Sequence, residues 1–253
     1  PTLNKLAKEG LYFTHFYPQV SVGTSSDTEF TLNTSLMPAL SGTVFVNYYD
    51  RNYLSLEKLL KEKGYYAFSM HGNNSTMWNR MEMHKSLGYD KFYAKESFDV
   101  NKDNWIGLGI SDHAFFEQMI PILKDVEESH DNYMGTIITL TNHTPWDGQD
   151  AYGEFKLTKT VKRLNEKTGL IETVEDNYLQ DTKIGDYIKG VHYADKCLGE
   201  FIDSLYANNL FDNTVLVFYG DHDAKLDRNE YAYLYNYDPV QGRLLEEGEE
   251  GYV

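Results

Sequence analysis

Between residues 55 and 74 the chain runs helix, glycine, strand and polar loop, and few architectures accommodate that succession. Ser55 is placed to cap a helix over Ser55–Lys63. Leu56, Leu59 and Leu60 form its apolar stripe, and Gly64 stops it. Tyr65–Met70 then reads as a strand, with His71-Gly72-Asn73-Asn74 as the loop at its end. This is the rhythm of an α/β layer, in which ligands gather at the carboxyl ends of parallel strands.

The rhythm continues. Met77–Leu87 reads as a helix ended by Gly88. Asp112–Glu128 reads as a longer one, with Pro121 expected to kink or break it. Thr136–Leu140 is a predicted strand that runs into the polar loop Thr141–Trp146. Ile188–Leu205 is a predicted helix whose core face is Val191, Ala194, Leu198, Ile202 and Leu205. Val215–Phe218 reads as a short buried strand broken by Gly220, with Asp221, His222 and Asp223 just beyond it. Near the start, Thr2–Glu9 is helical in pattern and Leu11–Tyr17 strand-like. Residues 19–26 form a polar loop, and residues 30–36 resume helical spacing. Residues 147–186 are polar and weakly patterned, an excursion over the surface, and residues 225–253 carry no strong pattern. The reading is one domain over residues 1–253.

Three strand ends therefore carry polar clusters: His71, His143 and Asp221-His222. In a parallel sheet they converge on one edge. Asp oxygen and His nitrogen are good ligands for a divalent cation, whereas a single His is more often a packed or surface residue. The loop Gly23-Thr24-Ser25-Ser26-Asp27-Thr28-Glu29 brings hydroxyls to a helix start, where free N–H groups suit a phosphate or sulfate. Alone, this loop reads as a plain N-cap at Ser26 or Asp27. Arg80 fits bidentate phosphate contact, and Trp78 can cover a small polyol; their bland alternative is an amphipathic helix. The net charge of −16 argues against nucleic acid as a partner. Cys197 is the only cysteine, so no internal disulfide forms. No apolar run approaches the roughly 20 residues that span a bilayer.

Several of these pieces occur together in one order: Ser-Ser-Asp-Thr-Glu-Phe at 25–30, Asn-Thr-Ser-Leu at 33–36, His71-Gly72, Trp78-Asn79-Arg80, Ser86–Phe92, Thr141–Pro145 and Tyr219-Gly220-Asp221-His222. In that order and spacing the chain resembles the extracellular catalytic domain of lipoteichoic acid synthases, phosphoglycerol transferases of the sulfatase and alkaline-phosphatase-like superfamily. The resemblance implies a three-layer α/β/α sandwich. It implies Ser25, Asp221 and His222 as metal ligands for Mn²⁺ (or Mg²⁺), and His71, Trp78, Arg80 and His143 around the phosphoglycerol head group. His143 also assists proton transfer. The family's nucleophilic Thr falls on Ser25, with Thr24 the alternative if the register slips by one residue. The partners implied are phosphatidylglycerol and a glycerophosphate polymer or glycan acceptor. The place implied is the extracellular face of a bacterial membrane, with the parent protein anchored by a region outside these residues.

The chain departs from that pattern in two ways. The family's first strand, with a Glu that completes the metal site, has no counterpart here, nor do the sheet strands after the Asp-His segment. The expectation is thus an incomplete sheet, weak metal binding and little activity for residues 1–253. Two other classes stand beside the transferase. One is a sulfatase or phosphodiesterase that delivers the group to water, against which counts the lack of a Cys/Ser-x-Pro-x-Arg motif at Ser25. The other is a non-catalytic module that binds glycerophosphate.

Overall fold

A computed structural model of the chain describes residues 1–177, 179–247, 249 and 252, the side chains of Gln149, Lys159 and Val161 excepted. Its helices are α1 (Thr2–Glu9), α2 (Ser25–Thr34), α3 (Val44–Asn47), α4 (Leu56–Lys61), α5 (Arg80–Leu87), α6 (Asp112–Ser129), α7 (Gln149–Tyr152), α8 (Lys183–Ala207) and α9 (Arg228–Leu234). Its strands are β1 (Tyr66–His71), β2 (Lys91–Tyr93), β3 (Trp105–Ile106), β4 (Gly109–Ile110), β5 (Tyr133–Ile138), β6 (Lys159–Leu164), β7 (Ile171–Asp176), β8 (Tyr237–Asp238) and β9 (Arg243–Leu244).

β1 sits at the centre of a parallel sheet of order β2-β1-β5. Successive side chains of a strand point to opposite faces. Phe68 and Met70 face one way, into a core with Phe115, Phe116 and Met119 of α6 and Cys197, Phe201 and Leu205 of α8. Ala67 faces the other way, against Phe30 of α2, Val44 and Phe45 of α3, and Met83 and Leu87 of α5. Burying side chains such as Phe68 and Met70 contributes about 1.5–3 kcal/mol each. Two helical layers thus enclose the sheet, the expected α/β/α arrangement. Gly135 of β5 makes room for one side of it: a Cβ there would lie 2.4 Å from the ring of Phe68.

Most long elements fall where the pattern puts them. Ser55 caps α4, accepting from Lys58 N–H at 3.4 Å. α6 runs through Pro121 as one helix of 18 residues, without the expected break. Other expectations need correction. Leu56 and Leu59 of α4 are exposed, while Glu57 is fully buried and its carboxyl is raised above the usual range by that burial. α8 buries Cys197, Phe201, Ile202 and Leu205, and Val191 lies outside that face. α2 begins at Ser25, inside the stretch read as a loop; its buried residues are mostly polar, so apolar spacing does not announce it. Leu11–Tyr17 is not a strand: Leu11, Tyr12 and Phe13 are exposed and meet no pairing edge among the described residues. The surface excursion of residues 147–186 includes α7 and the hairpin β6–β7. The span 225–253 carries α9, closed by an Asp227–Glu230 capping box, and the short pair β8–β9.

Val215–Phe218 also differs. It has no ladder partner among the described residues, and Val215 and Val217 are exposed. Only Leu216 packs against the α6–α8 core. A β-branched run forms a strand when a neighbouring edge pairs with it; here β5 ends the sheet.

Candidate active site

The site starts from the end of β1. His71 is its last residue and lies on the Ala67 face, where Arg80 at the start of α5 reaches it. Arg80 donates from Nη1 to His71 Nε2 at 3.2 Å. A guanidinium can only donate, so His71 accepts at Nε2 and carries its hydrogen on Nδ1, which donates to the Ile138 carbonyl at 3.3 Å. Burial, then the Arg80 charge, lowers His71 to about 3. His71 is therefore a neutral group and brings no positive charge to the site.

Arg80 is itself buried, at 1% exposure. Its Nε and Nη2 donate to Glu29 Oε1 at 3.0 and 2.6 Å. Glu29 Oε2 accepts from His84 Nε2 at 3.0 Å, and His84 Nδ1 meets Ser69 Oγ at 2.8 Å. Burial alone pushes the Glu29 carboxyl up; the Arg80 charge and the hydrogen bond from His84 outweigh it and hold Glu29 at about 2. The expected phosphate-facing arginine is thus largely committed to a carboxylate 51 residues away in sequence. Glu29 and His84 are central to this site, and the sequence reading gave neither a role there. The one signal was the place of Glu29 in the ordered piece 25–30; His84 lies outside all of those pieces.

Glu29 ties this cluster to α2, the helix that opens with Ser25. Three adjacent hydroxyls lie at that opening. Ser26 is fully buried and donates to the Gly23 carbonyl at 2.8 Å. Thr24 and Ser25 are partly exposed, and their hydroxyls have no hydrogen-bond partner among the described residues. Thr24 occupies the N-cap with φ 45° and makes no side-chain cap. Asp27 accepts the N–H groups of Ser21 and Gly23 at 2.8 and 3.0 Å, which folds the loop back over the helix start.

One turn after Ser25, Thr28 Oγ1 donates to the Asp221 carbonyl. Residues three apart share a helix face, so this bond draws Asp221 towards the Ser25 side of α2. His222 follows, with Nδ1 donating to the Asp223 carbonyl at 2.8 Å. That leaves the Nε2 lone pair free, 3.8 Å from Asp221 Oδ2. Two ligand atoms at that spacing can share one divalent cation, given metal–ligand bonds of about 2.0–2.2 Å. The His143 ring lies 5.7 Å from that of His222, and its Nδ1 donates to the Thr144 carbonyl at 2.7 Å. His143 Nε2 is likewise free to accept. Trp78, half-buried, sits at φ 55° in a kink before α5, next to Asn79 at φ 58°. Asn79 Nδ2 holds that kink by donating to the Phe45 carbonyl at 2.8 Å. Strained backbone of this kind gathers at functional sites.

A protein-family model described as Sulfatase matches residues 1–244. The chain belongs to the sulfatase family. Among its relatives, lipoteichoic acid synthase 2 of Bacillus subtilis (strain 168) is 34% identical over 224 residues, covering 88% of this chain and 31% of that protein. The lipoteichoic acid synthase of Staphylococcus aureus (strain NCTC 8325 / PS 47) is 34% identical over 226 residues, covering 88% and 32%. The chain thus spans about a third of the length of these relatives. The crystal structure of the lipoteichoic acid synthase LtaP from Listeria monocytogenes superposes with a TM-score of 0.77 at 31% identity, over 92% of this chain and 53% of that one. A second structure, a protein in the alkaline phosphatase superfamily from Vibrio parahaemolyticus, has a TM-score of 0.65 at 20% identity, over 89% of this chain and 49% of that one, and shares the fold.

In this sulfatase-family chain the loop that carries His143 is held from beneath by α6. Asp112 Oδ1 accepts the N–H groups of Leu140 and Thr141 at 3.2 and 3.1 Å, and Thr141 Oγ1 accepts Asp112 N–H at 2.7 Å. Trp146, buried, donates from Nε1 to the Asn142 carbonyl at 3.0 Å. Replacing Asp112 by Ala strips two buried backbone donors of their acceptor. The expected loss is about 2–4 kcal/mol, measured by urea unfolding. Asp112→Asn keeps an acceptor oxygen and is expected to lose distinctly less.

Proposed function

We propose that this chain carries the site with which its parent protein transfers phosphoglycerol from phosphatidylglycerol to a polyglycerolphosphate or glycan acceptor, through a covalent glycerophospho-Ser25. The observation that carries the reading is the bond from Thr28 to the Asp221 carbonyl. It links the Ser25 helix to the Asp221–His222 pair, and the 34% identity to lipoteichoic acid synthases gives the chemistry its class.

Asp221 and His222 are the residues that would hold a divalent cation, Mn²⁺ or Mg²⁺, together with the Ser25 hydroxyl. Bound there, such an ion supplies Lewis-acid charge and lowers the pKa of a coordinated hydroxyl. Ser25 Oγ forms a bond to phosphorus as the bond to the diacylglycerol oxygen breaks, and the proton from Ser25 ends on that oxygen. In the second step the terminal hydroxyl of the acceptor attacks phosphorus and Ser25 leaves. His143 Nε2, with its lone pair free, takes the proton of the attacking hydroxyl, and that proton ends on the departing Ser25 Oγ. Trp78 flanks the glycerol. Arg80 and His71 form the floor: His71 is neutral and the Arg80 charge is paired with Glu29, so the further positive charge for the phosphate would come from the cation. The setting proposed is the extracellular face of a bacterial membrane, with anchoring by another part of the parent protein. Among the described residues no helix is long and apolar enough to cross a membrane.

The test uses vesicles of fluorescent phosphatidylglycerol with and without Mn²⁺, on the parent protein and on residues 1–253, the latter expected to turn over slowly. The expected result is diacylglycerol release and a glycerophosphate adduct on the protein by mass spectrometry, both lost on chelation and in Asp221→Ala. Stoichiometric release of free glycerophosphate to water, acceptor present, would make the chain a hydrolase instead. Binding of glycerophosphate with neither release nor adduct would make it a binding module.

A further inference from the structure

α6 and α8 pack against each other on the far side of the sheet from Arg80, and one group of side chains at their contact has no part in the chemistry above. His113 of α6 and Cys197 and Glu200 of α8 bring one nitrogen, one sulfur and one oxygen within 4.8 Å of one another. Cys197 and Glu200, three apart, share a helix face. Cys197 is buried, at 2% exposure, and forms the floor. His113 and Glu200 are about half-exposed and stand over it, with His113 Nδ1 3.1 Å from Glu200 Oε2. Glu117, one turn along α6, lies 3.6 Å from the other ring nitrogen.

We propose that His113, Cys197 and Glu200 form a second divalent-metal site, for a borderline ion of the Zn²⁺ class, which staples α6 to α8. Three features favour such an ion over a bare His–Glu pair. The donor set is mixed, and thiolate with imidazole selects Zn²⁺ over Mg²⁺ or Ca²⁺. The donors come from two helices, so their meeting is a tertiary arrangement. The floor is buried and the approach is open, so an ion can enter from solvent and lose water on one side. The thiol is protonated before metal arrives, because burial foremost holds it up at about 12. Ligation replaces the S–H bond by a sulfur–metal bond, and the proton leaves to solvent. The consequence for the fold is local: His113 follows Asp112, whose carboxylate holds the start of the His143 loop.

Cobalt reports on this site directly, because a thiolate bound to Co²⁺ gives a near-ultraviolet charge-transfer band. Cys197 is the sole cysteine, so any such band arises there. The titration is made on the whole chain and on His222→Ala, which weakens the proposed Asp221–His222 site. The expected result is a saturable band in both, displaced by Zn²⁺, and absent in Cys197→Ser. His113→Ala and Glu200→Gln, at half-exposed positions that the fold tolerates, are expected to weaken Zn²⁺ binding in the His222→Ala background by roughly tenfold or more. No band at saturating cobalt overturns the proposal. So does an unchanged Zn²⁺ affinity in His113→Ala.

Discussion

Ser25→Ala is expected to abolish the glycerophosphate adduct and lower turnover by roughly a thousandfold or more, since covalent catalysis has no route around a missing nucleophile. Stability should barely move. Ser25 is partly exposed and its hydroxyl has no partner among the described residues, so the change falls within about 0.5 kcal/mol. The neighbouring hydroxyls give the controls. Thr24→Ala removes a side chain that makes no cap and should retain the adduct. Ser26→Ala removes a buried hydroxyl bonded to the Gly23 carbonyl, so it costs about 1 kcal/mol of stability and leaves the adduct in place. An adduct that survives in Ser25→Ala and disappears in Thr24→Ala moves the nucleophile one residue earlier. Peptide mapping of the labelled protein distinguishes the two.

Glu29→Gln is expected to be the most destabilising single change, at about 3–5 kcal/mol, because it leaves the Arg80 charge buried and uncompensated. A domain of this kind has about 5–15 kcal/mol in all. The pH dependence gives this result a signature. Glu29 titrates at about 2 in the fold against an ordinary 4.5, so its ionised form stabilises the fold above 4.5, and that contribution drains away as pH falls from 4.5 towards 2. His71 is also depressed, from 6.5 to about 3, and it binds a proton more readily unfolded. Its contribution is complete above 6.5 and is lost as pH falls below it. Unfolding free energy of the parent chain should therefore decline below 6.5 and decline more steeply below 4.5, where both groups take up protons on unfolding. Glu29→Gln should keep the decline that starts at 6.5 and lose the steepening below 4.5. Urea titrations at a series of pH values measure this; an unaltered steepening would falsify the assignment of Glu29 as the stabilising anion.

What the sequence discloses here depends on how far apart the deciding residues lie. The helix, glycine and strand of residues 55–71 are legible because capping, stopping and alternation are local. The same locality makes His71 and His143 visible as groups after a strand, and Asp221–His222 visible after an apolar run that does not pair. The Arg80–Glu29–His84 cluster is not legible in that way. An arginine in an amphipathic pattern reads as solvated, and only the approach of α2 and α5 across the sheet face turns it inward. α2 escapes notice for a related reason: Ser26, Asp27, Thr28 and Glu29 are buried by polar partners, so the helix carries no apolar stripe. Val215–Phe218 shows the converse. Its composition announces a strand, but a strand is a relation between two segments, and the neighbouring edge is not supplied by any described residue.

That unpaired segment bears on how ligands sense one another. Ser25, His71 and Arg80 are fixed by helix, sheet and a buried ion pair, whereas no backbone hydrogen bond holds residues 215–220 among the described residues. Asp221 is tethered through Thr28, Leu216 rests on the core, and the Tyr219 and His222 rings meet Phe16 and His143. In the proposed site a cation on Asp221 and His222 would fix that stretch further, and whatever freedom it removed would not have to be removed again by a head group. The two ligands would then favour each other's binding without touching, equally in both directions.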